Sequence, residues 1–283
     1  MNRLPLFLFI ILLLARSAQA AEPSSNAPGL QRDVEFAKPD NFSLTLDAFV
    51  PDGDGPFPTC ILVHGGGFTR GDKQSYIKPL FEPLAKAGFV WFSINYRLAP
   101  GHRWPACAED VDAAIRWVKA HAADYKVDPR RIALIGESAG GHLVSWAGVN
   151  SKEDTKVAAV VPFYAPTDLV KHVKSRNHEL RGLADLTGKT ELDDALWKEL
   201  EVMSPISHVR PGLPPFLLFH GDADTTVALE QSLAFQSRMK EQGNVCDLIT
   251  IPGGVHGMGL WDKLNLNPDY SSQLIAWLHS VMR

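Results

Sequence analysis

Residues 42–50 read FSLTLDAFV, an alternation of polar and apolar side chains with the period of an exposed or edge strand. Pro51-Asp52-Gly53 follows with turn chemistry. Further along, the pattern changes. Residues 60–63, 89–94, 132–135, 157–161, 216–219 and 248–251 are short, continuous runs, apolar but for Ser93 and Thr250. Strands covered on both faces look like this, which predicts a mostly parallel central sheet. Helical periodicity falls between the runs. Residues 77–87 stop before Gly88, a C-cap glycine. Residues 110–122 place Val111, Ala114, Ile115, Val118 and Ala122 on one stripe, with Asp110 and Asp112 near the positive end. Residues 229–242 stop before Gly243, and 272–282 close the chain. Strands alternating with helices of this length predict an α/β, doubly wound sheet. Residues 168–215 break the rhythm: charged, holding Trp197, and ending in Pro211-Gly212-Leu213-Pro214-Pro215. They read as a small helical cap inserted over the sheet's carboxyl edge, or else as a crossover helix with long loops.

The first twenty residues belong to a different problem. Arg3 precedes an apolar run over residues 4–14, and Ala18-Gln19-Ala20 offers a small-x-small cleavage site. This is the pattern of a secretory signal peptide, too short to span a bilayer. The expectation is a domain over residues 21–283, secreted or periplasmic after cleavage behind Ala20 and not held by a membrane. Losing Arg3 and Arg16 moves the net charge from −4 to −6. A mildly acidic chain without basic blocks gives no electrostatic case for nucleic acid. No internal repeat is present, and residues 22–29 are the one low-complexity stretch. Cys60, Cys107 and Cys246 are odd in number, so at least one is unpaired.

The chemistry is concentrated in a few short segments. IALIGESAGGH, residues 132–142, contains Gly136-Glu137-Ser138-Ala139-Gly140, a G-x-S-x-G pattern after a strand and before a segment able to form a helix, residues 143–149. Such a turn projects its serine above the sheet. A serine hydroxyl needs a base and an orienting acid. Of ten histidines, His142 lies on the following helix, pointing along its axis. His64 and His220 sit at strand ends, where they bond backbone. His279 is on the last helix, and His102, His121, His172, His178 and His208 fall in polar surface or cap segments. His256 follows the last strand in Gly253-Gly254-Val255-His256-Gly257, where a base could reach Ser138. For the acid, Gly221-Asp222-Ala223-Asp224 after residues 216–220 offers two candidates, one of which would cap a turn or helix. Trp104 and Trp197 could line a pocket, although tryptophan is more often core.

ILVHGGGFTRGDK, residues 61–73, places a glycine loop after a strand. From Gly66 it comes within one residue of the phosphate-binding G-x-x-x-x-G-K-[ST], but Asp72 stands where the lysine belongs and Gln74 follows Lys73. An aspartate there would repel phosphate, so the loop is better suited to an oxyanion. No H-E-x-x-H or paired C-x-x-C suggests a metal, and no cofactor is called for.

His64-Gly65-Gly66-Gly67-Phe68, Asn95-Tyr96-Arg97-Leu98-Ala99-Pro100, Gly136 to Gly140 and His220-Gly221-Asp222-Ala223-Asp224 together resemble the α/β-hydrolase carboxylesterases. The likeness is to the hormone-sensitive-lipase-like branch and to secreted bacterial acetyl and feruloyl esterases, over nearly all of the mature chain. The resemblance implies Asp224 as the acid, with Ser138 and His256 completing a triad. It also implies an oxyanion hole from Gly66, Gly67 and Ala139. Little of the N-terminal helical cap common in that branch is visible here. The expected function is serine hydrolysis of small acyl esters, including acetyl or feruloyl esters on carbohydrate. The competing readings are an arylformamidase-like amidase, a serine peptidase of the same fold and a catalytically silent binding protein.

Overall fold

The computed structural model describes residues 29–267 and 269–283, so the signal segment expected at 1–20 lies outside the described residues. Eight strands form one sheet: β1 (Gly29–Ala37), β2 (Leu44–Val50), β3 (Phe57–Val63), β4 (Val90–Ile94), β5 (Val127–Glu137), β6 (Ala159–Phe163), β7 (Phe216–Gly221) and β8 (Cys246–Ile251). Their order is β1-β2-β4-β3-β5-β6-β7-β8. β1 and β2 pair antiparallel, as do β2 and β4, and every later pairing is parallel.

The apolar runs have a simple cause. Ile132 and Leu134 of β5 enter one core while Ala133 and Ile135 enter the other, and Cys60 and Leu62 of β3 face away from Ile61 and Val63. One face is covered by α2 (Ala106–Ala120), α3 (Ala139–Val149) and α7 (Glu230–Glu241). The other is covered by α1 (Phe81–Lys86), α8 (Met258–Leu264) and α9 (Tyr270–Val281). With both faces buried, polar positions become scarce in the central stretches of these strands, while outer β8 still exposes Asp247 and Thr250.

Two features differ from the sequence expectation. β2 is not an edge strand, because β1 lies outside it. β1 escapes a periodicity reading: register shifts fall between Gln31 and Val34 and between Glu35 and Ala37, and Phe36 is its one buried residue. Irregular pairing of this kind breaks alternation. Second, α2 starts at Ala106, so Asp110 lies in its second turn rather than at the positive end. Its carboxylate is buried and accepts from the Arg97 backbone amide (2.8 Å), from Nε (3.0 Å) and from Nη2 (2.8 Å). That paired charge ties the segment after β4 to α2. Removing one partner would strand the other, which is why such pairs are costly to break.

Between β6 and β7 the chain makes three short helices, α4 (Leu169–Ser175), α5 (Gly182–Thr187) and α6 (Asp194–Met203). Leu169, Val173, Leu183, Leu186, Leu196, Leu200 and Met203 join the same core as α3, so this segment packs on the helical layer that covers that face of the sheet. The chain leaves β3 toward β4 on one side and returns to β5 on the other. That reversal opens a crevice at the carboxyl ends of β3 and β5, where open α/β sheets hold ligands.

Candidate active site

Ser138 stands between the end of β5 and the first residue of α3, with φ 53° and ψ −117°. A non-glycine residue is strained there, and such strain is retained when the surroundings enforce it. The enforcement is visible. The Ser138 amide donates to the Phe163 carbonyl (3.0 Å), and α3 starts at once. A Cβ on Gly136 would meet the Gly140 carbonyl oxygen at 2.3 Å, and one on Gly140 would meet that of Val63 at 2.2 Å. Glycine on both sides of the serine is therefore a packing requirement.

His256 reaches this turn from the loop after β8. Its Nε2 accepts from the Ser138 hydroxyl at 2.9 Å, and its Nδ1 donates to Asp224 Oδ2 at 2.7 Å. Asp224 Oδ1 accepts from the amides of Thr226 (2.8 Å) and Val227 (2.9 Å). Burial would raise this carboxyl. The bond to His256, its charge and the two amides outweigh that effect and hold the carboxyl below its ordinary value. The second aspartate plays the other part: exposed Asp222 accepts from the Gly253 amide at 2.7 Å, fastening the turn after β7 to the His256 loop.

Three other buried histidines are occupied elsewhere. His142 is buried with Nε2 at 2.9 Å from the Met203 carbonyl, His64 donates from Nδ1 to the Gly65 carbonyl (2.7 Å), and His220 bridges Ser232 Oγ and the Val227 carbonyl. Burial lowers His142 and His64 to about 4, leaving both rings neutral. Trp104 packs edge-on against Trp146 (4.8 Å) and Trp197 against His178 (6.0 Å), and neither lines the site.

Several contributors were not visible in the sequence. Tyr164 lies edge-on to His256 at 4.7 Å and accepts from the Met258 amide, while the Trp261 indole donates to the Val255 carbonyl at 2.6 Å. Together they fix the loop on either side of the base. Glu137, directly before the serine, is buried. Burial pushes it up to about 7 against the opposing influence of His256, the Gly65 amide and Tyr164. His172, expected on the surface, lines the site. Glu137 fills an unspecified position of the serine motif and the others lie outside any motif, so only the folded chain brings them to one place.

Ser138, His256, Gly66, Gly67 and Ala139 border one cavity of about 860 Å³. Ala139 is the first residue of α3, so its amide has no helical partner. Gly66 and Gly67 have φ of 105° and 63°, and a Cβ on Gly66 would lie 2.0 Å from the Arg70 carbonyl oxygen. The phosphate alternative finds no support in the same loop. Lys73 Nζ lies 2.6 Å from Asp33 and 3.4 Å from Asp47, and Asp72 accepts from the Gln74 amide and the Ser75 hydroxyl. The cysteines supply no second nucleophile: Cys60, Cys107 and Cys246 are free and buried, and burial raises all three thiols. What remains is a hydroxyl hydrogen-bonded to an oriented imidazole, with backbone donors beside it. Such a group can attack an electrophilic carbon.

Several known proteins resemble this chain in sequence and fold. Esterase LipC of Mycobacterium tuberculosis is 32% identical over 243 residues, which are 81% of this chain and 59% of LipC. Acetylxylan esterase of Xylanibacter ruminicola is 25% identical over 99% of this chain and 55% of its own length. The chain thus spans little more than half the length of these curated relatives. Among solved structures, a truncated form of a carbohydrate esterase from gut microbiota superposes with a TM-score of 0.79 and 26% identity, covering 92% of this chain and 98% of that one. The BD-FAE family model matches residues 46–239, more than half of the sequence. On that match, carried by an α/β-hydrolase fold with its serine elbow intact, the chain belongs to the BD-FAE family.

Proposed function

We propose that this protein is an exported serine carboxylic-ester hydrolase acting on small acyl esters, acetyl or feruloyl esters of carbohydrates among them. The observation that carries the proposal is the unbroken line from Asp224 through His256 to Ser138, at 2.7 and 2.9 Å. Ser138 attacks the ester carbonyl as His256 takes its proton. Asp224 holds the imidazole in the tautomer that leaves Nε2 free to accept, and stabilises the cation formed. The oxygen of the tetrahedral intermediate is met by the amides of Gly66, Gly67 and Ala139, each donor typically worth ~10²–10³ in turnover. His256 then protonates the leaving alcohol, and in the second half it activates water against the acyl-enzyme.

Support for a carbohydrate ester comes from two sides. The relatives include proteins named acetylxylan esterase and carbohydrate esterase. The cavity rim exposes Tyr76 (51%) and Leu260 (42%), apolar surface suited to a sugar face or a feruloyl ring. Export rests on the leader pattern of residues 1–20. A hydrolysis panel tests the reading: p-nitrophenyl acetate to decanoate, methyl ferulate, acetylated xylan and formylkynurenine. Turnover of the acetyl and feruloyl substrates, above the decanoate and formamide members, is the expected result. Formylkynurenine as the sole good substrate would instead make the protein an amidase.

A further inference from the structure

Charge around the cavity is of one sign. Arg70, Arg176, Arg181 and Lys263 line it, and Glu137 is the sole acid among the lining residues described. Glu137 lies at the floor, 3% exposed, beside the nucleophile. The chain as a whole is acidic, with a net charge of −4, so composition does not explain this surplus of cations. Two of the four are held in ways that the fold alone does not require.

Arg176, at the C-terminal end of α4, donates from Nη1 to the Thr226 carbonyl. Thr226 is also the residue whose amide binds Asp224, so the guanidinium is anchored to the triad's own turn. Its Nε is buried with no partner. A buried donor left unpaired is costly, and native structures rarely keep one without a role. Arg181 precedes α5 with φ 46° and ψ −128°, a conformation that L-residues with side chains avoid. The next residue, Gly182, is pressed on the glycine loop: a Cβ there would lie 2.4 Å from the Gly67 carbonyl oxygen. The strained backbone therefore sets the Arg181 stem beside the oxyanion loop. Arg181 meets exposed Glu179 at 3.0 Å, whereas Arg176 Nε has no hydrogen-bond partner among the described residues. Burial, and then the like charge of Arg181, hold the Arg176 guanidinium below its ordinary value, although Glu179 and Asp224 pull the other way. Two cations lining one cavity, one of them with an idle buried donor, suit a bound anion.

We propose that Arg176 and Arg181 form a subsite for a carboxylate carried by the substrate, so that esters with an anionic acyl or alcohol part are preferred over neutral ones of equal size. The proposal rests on the esterase reading and deepens it. A uronic acid bearing an acyl ester would present the carboxylate on the alcohol side. A half-ester of a dicarboxylic acid would present it on the acyl side. Guanidinium forks bind either carboxylate through charge-assisted hydrogen bonds, and the idle Nε of Arg176 supplies one of them.

The experiment measures kcat/KM for two matched pairs. Mono-p-nitrophenyl glutarate against p-nitrophenyl pentanoate reads the acyl side, and 4-acetoxybenzoate against its methyl ester reads the alcohol side. For one pair, the anionic-to-neutral ratio is expected to fall by about tenfold or more in Arg176→Gln and in Arg181→Gln, the usual weight of a hydrogen bond to a charge. In the wild type the same ratio should fall as sodium chloride is raised, because screening weakens the attraction. That salt series needs no variant, so a ratio that stays flat with salt counts against the subsite even where a variant folds poorly. Ratios for both pairs that neither salt nor substitution moves beyond twofold would overturn the subsite. Absence of turnover of every ester, anionic and neutral alike, by the wild type would instead defeat the esterase reading itself.

Discussion

Replacing Ser138 by alanine is expected to lower kcat for p-nitrophenyl acetate by roughly 10⁴–10⁶-fold and to abolish the burst of p-nitrophenol. The loss is large because serine and histidine act as one unit: without Oγ, the imidazole at 2.9 Å has nothing to deprotonate. A residual rate above that of buffer should survive, since the amides of Gly66, Gly67 and Ala139 remain to bind an oxyanion. The substitution should leave the fold in place. Alanine keeps the Cβ that already occupies the strained position at φ 53°, and the amide bond to Phe163 does not involve the side chain. Burst amplitude and steady-state rate, read beside a circular dichroism melt, check both parts. Wild-type turnover in the variant would remove Ser138 from the mechanism.

The second large effect separates two neighbouring aspartates. Asp224→Asn should reduce kcat by about 10³–10⁴-fold, whereas Asp222→Asn should stay within about twofold of wild type. The reason lies in the tautomer. Asp224 takes amides on Oδ1 and His256 on Oδ2. An asparagine that keeps its oxygen on the Thr226 and Val227 amides turns its NH₂ toward His256 Nδ1. Nδ1 must then accept, Nε2 carries the proton, and the serine loses its base. At Asp222 the single bond, from the Gly253 amide at 2.7 Å, can be accepted equally well by an asparagine oxygen. Steady-state kinetics of the two variants side by side decide the assignment. A large loss confined to Asp222→Asn would reverse it.

How far the sequence carried the structure depends on where the determining contacts lie. Strands β3 to β7 were legible because covering both faces leaves them mostly apolar, a signal present in each strand by itself, and outer β8 still showed a short apolar stretch. The serine elbow was legible because close backbone approach demands glycine at fixed spacing, as Gly136 and Gly140 show. His256 followed from its place after the last strand. Spacing left Asp222 and Asp224 open, and only the family resemblance pointed to Asp224, because the two side chains diverge in three dimensions: one reaches the imidazole and the other a loop amide. β1 was missed for a related reason, since an irregularly paired outer strand with one buried side chain leaves no period to read. The cavity wall was the least legible part. Arg176 and Arg181 come from the segment between β6 and β7, and Arg176 meets Thr226 fifty residues away in sequence. Nothing local in either segment announces that encounter. Tyr164 and Trp261, which carry no sequence signal, brace the loop that holds His256.

The central claim is that Ser138 is the nucleophile of an acyl-enzyme pathway. Its most direct test is to mix the wild-type protein with p-nitrophenyl acetate, quench in acid within the burst, and locate the acetyl group by peptide mass spectrometry. The account predicts one acetyl group on the peptide that contains Ser138, formed in step with the burst and lost as water completes the cycle. Ester turnover with the Ser138 peptide unmodified throughout, or with the acetyl group on another residue, would contradict it.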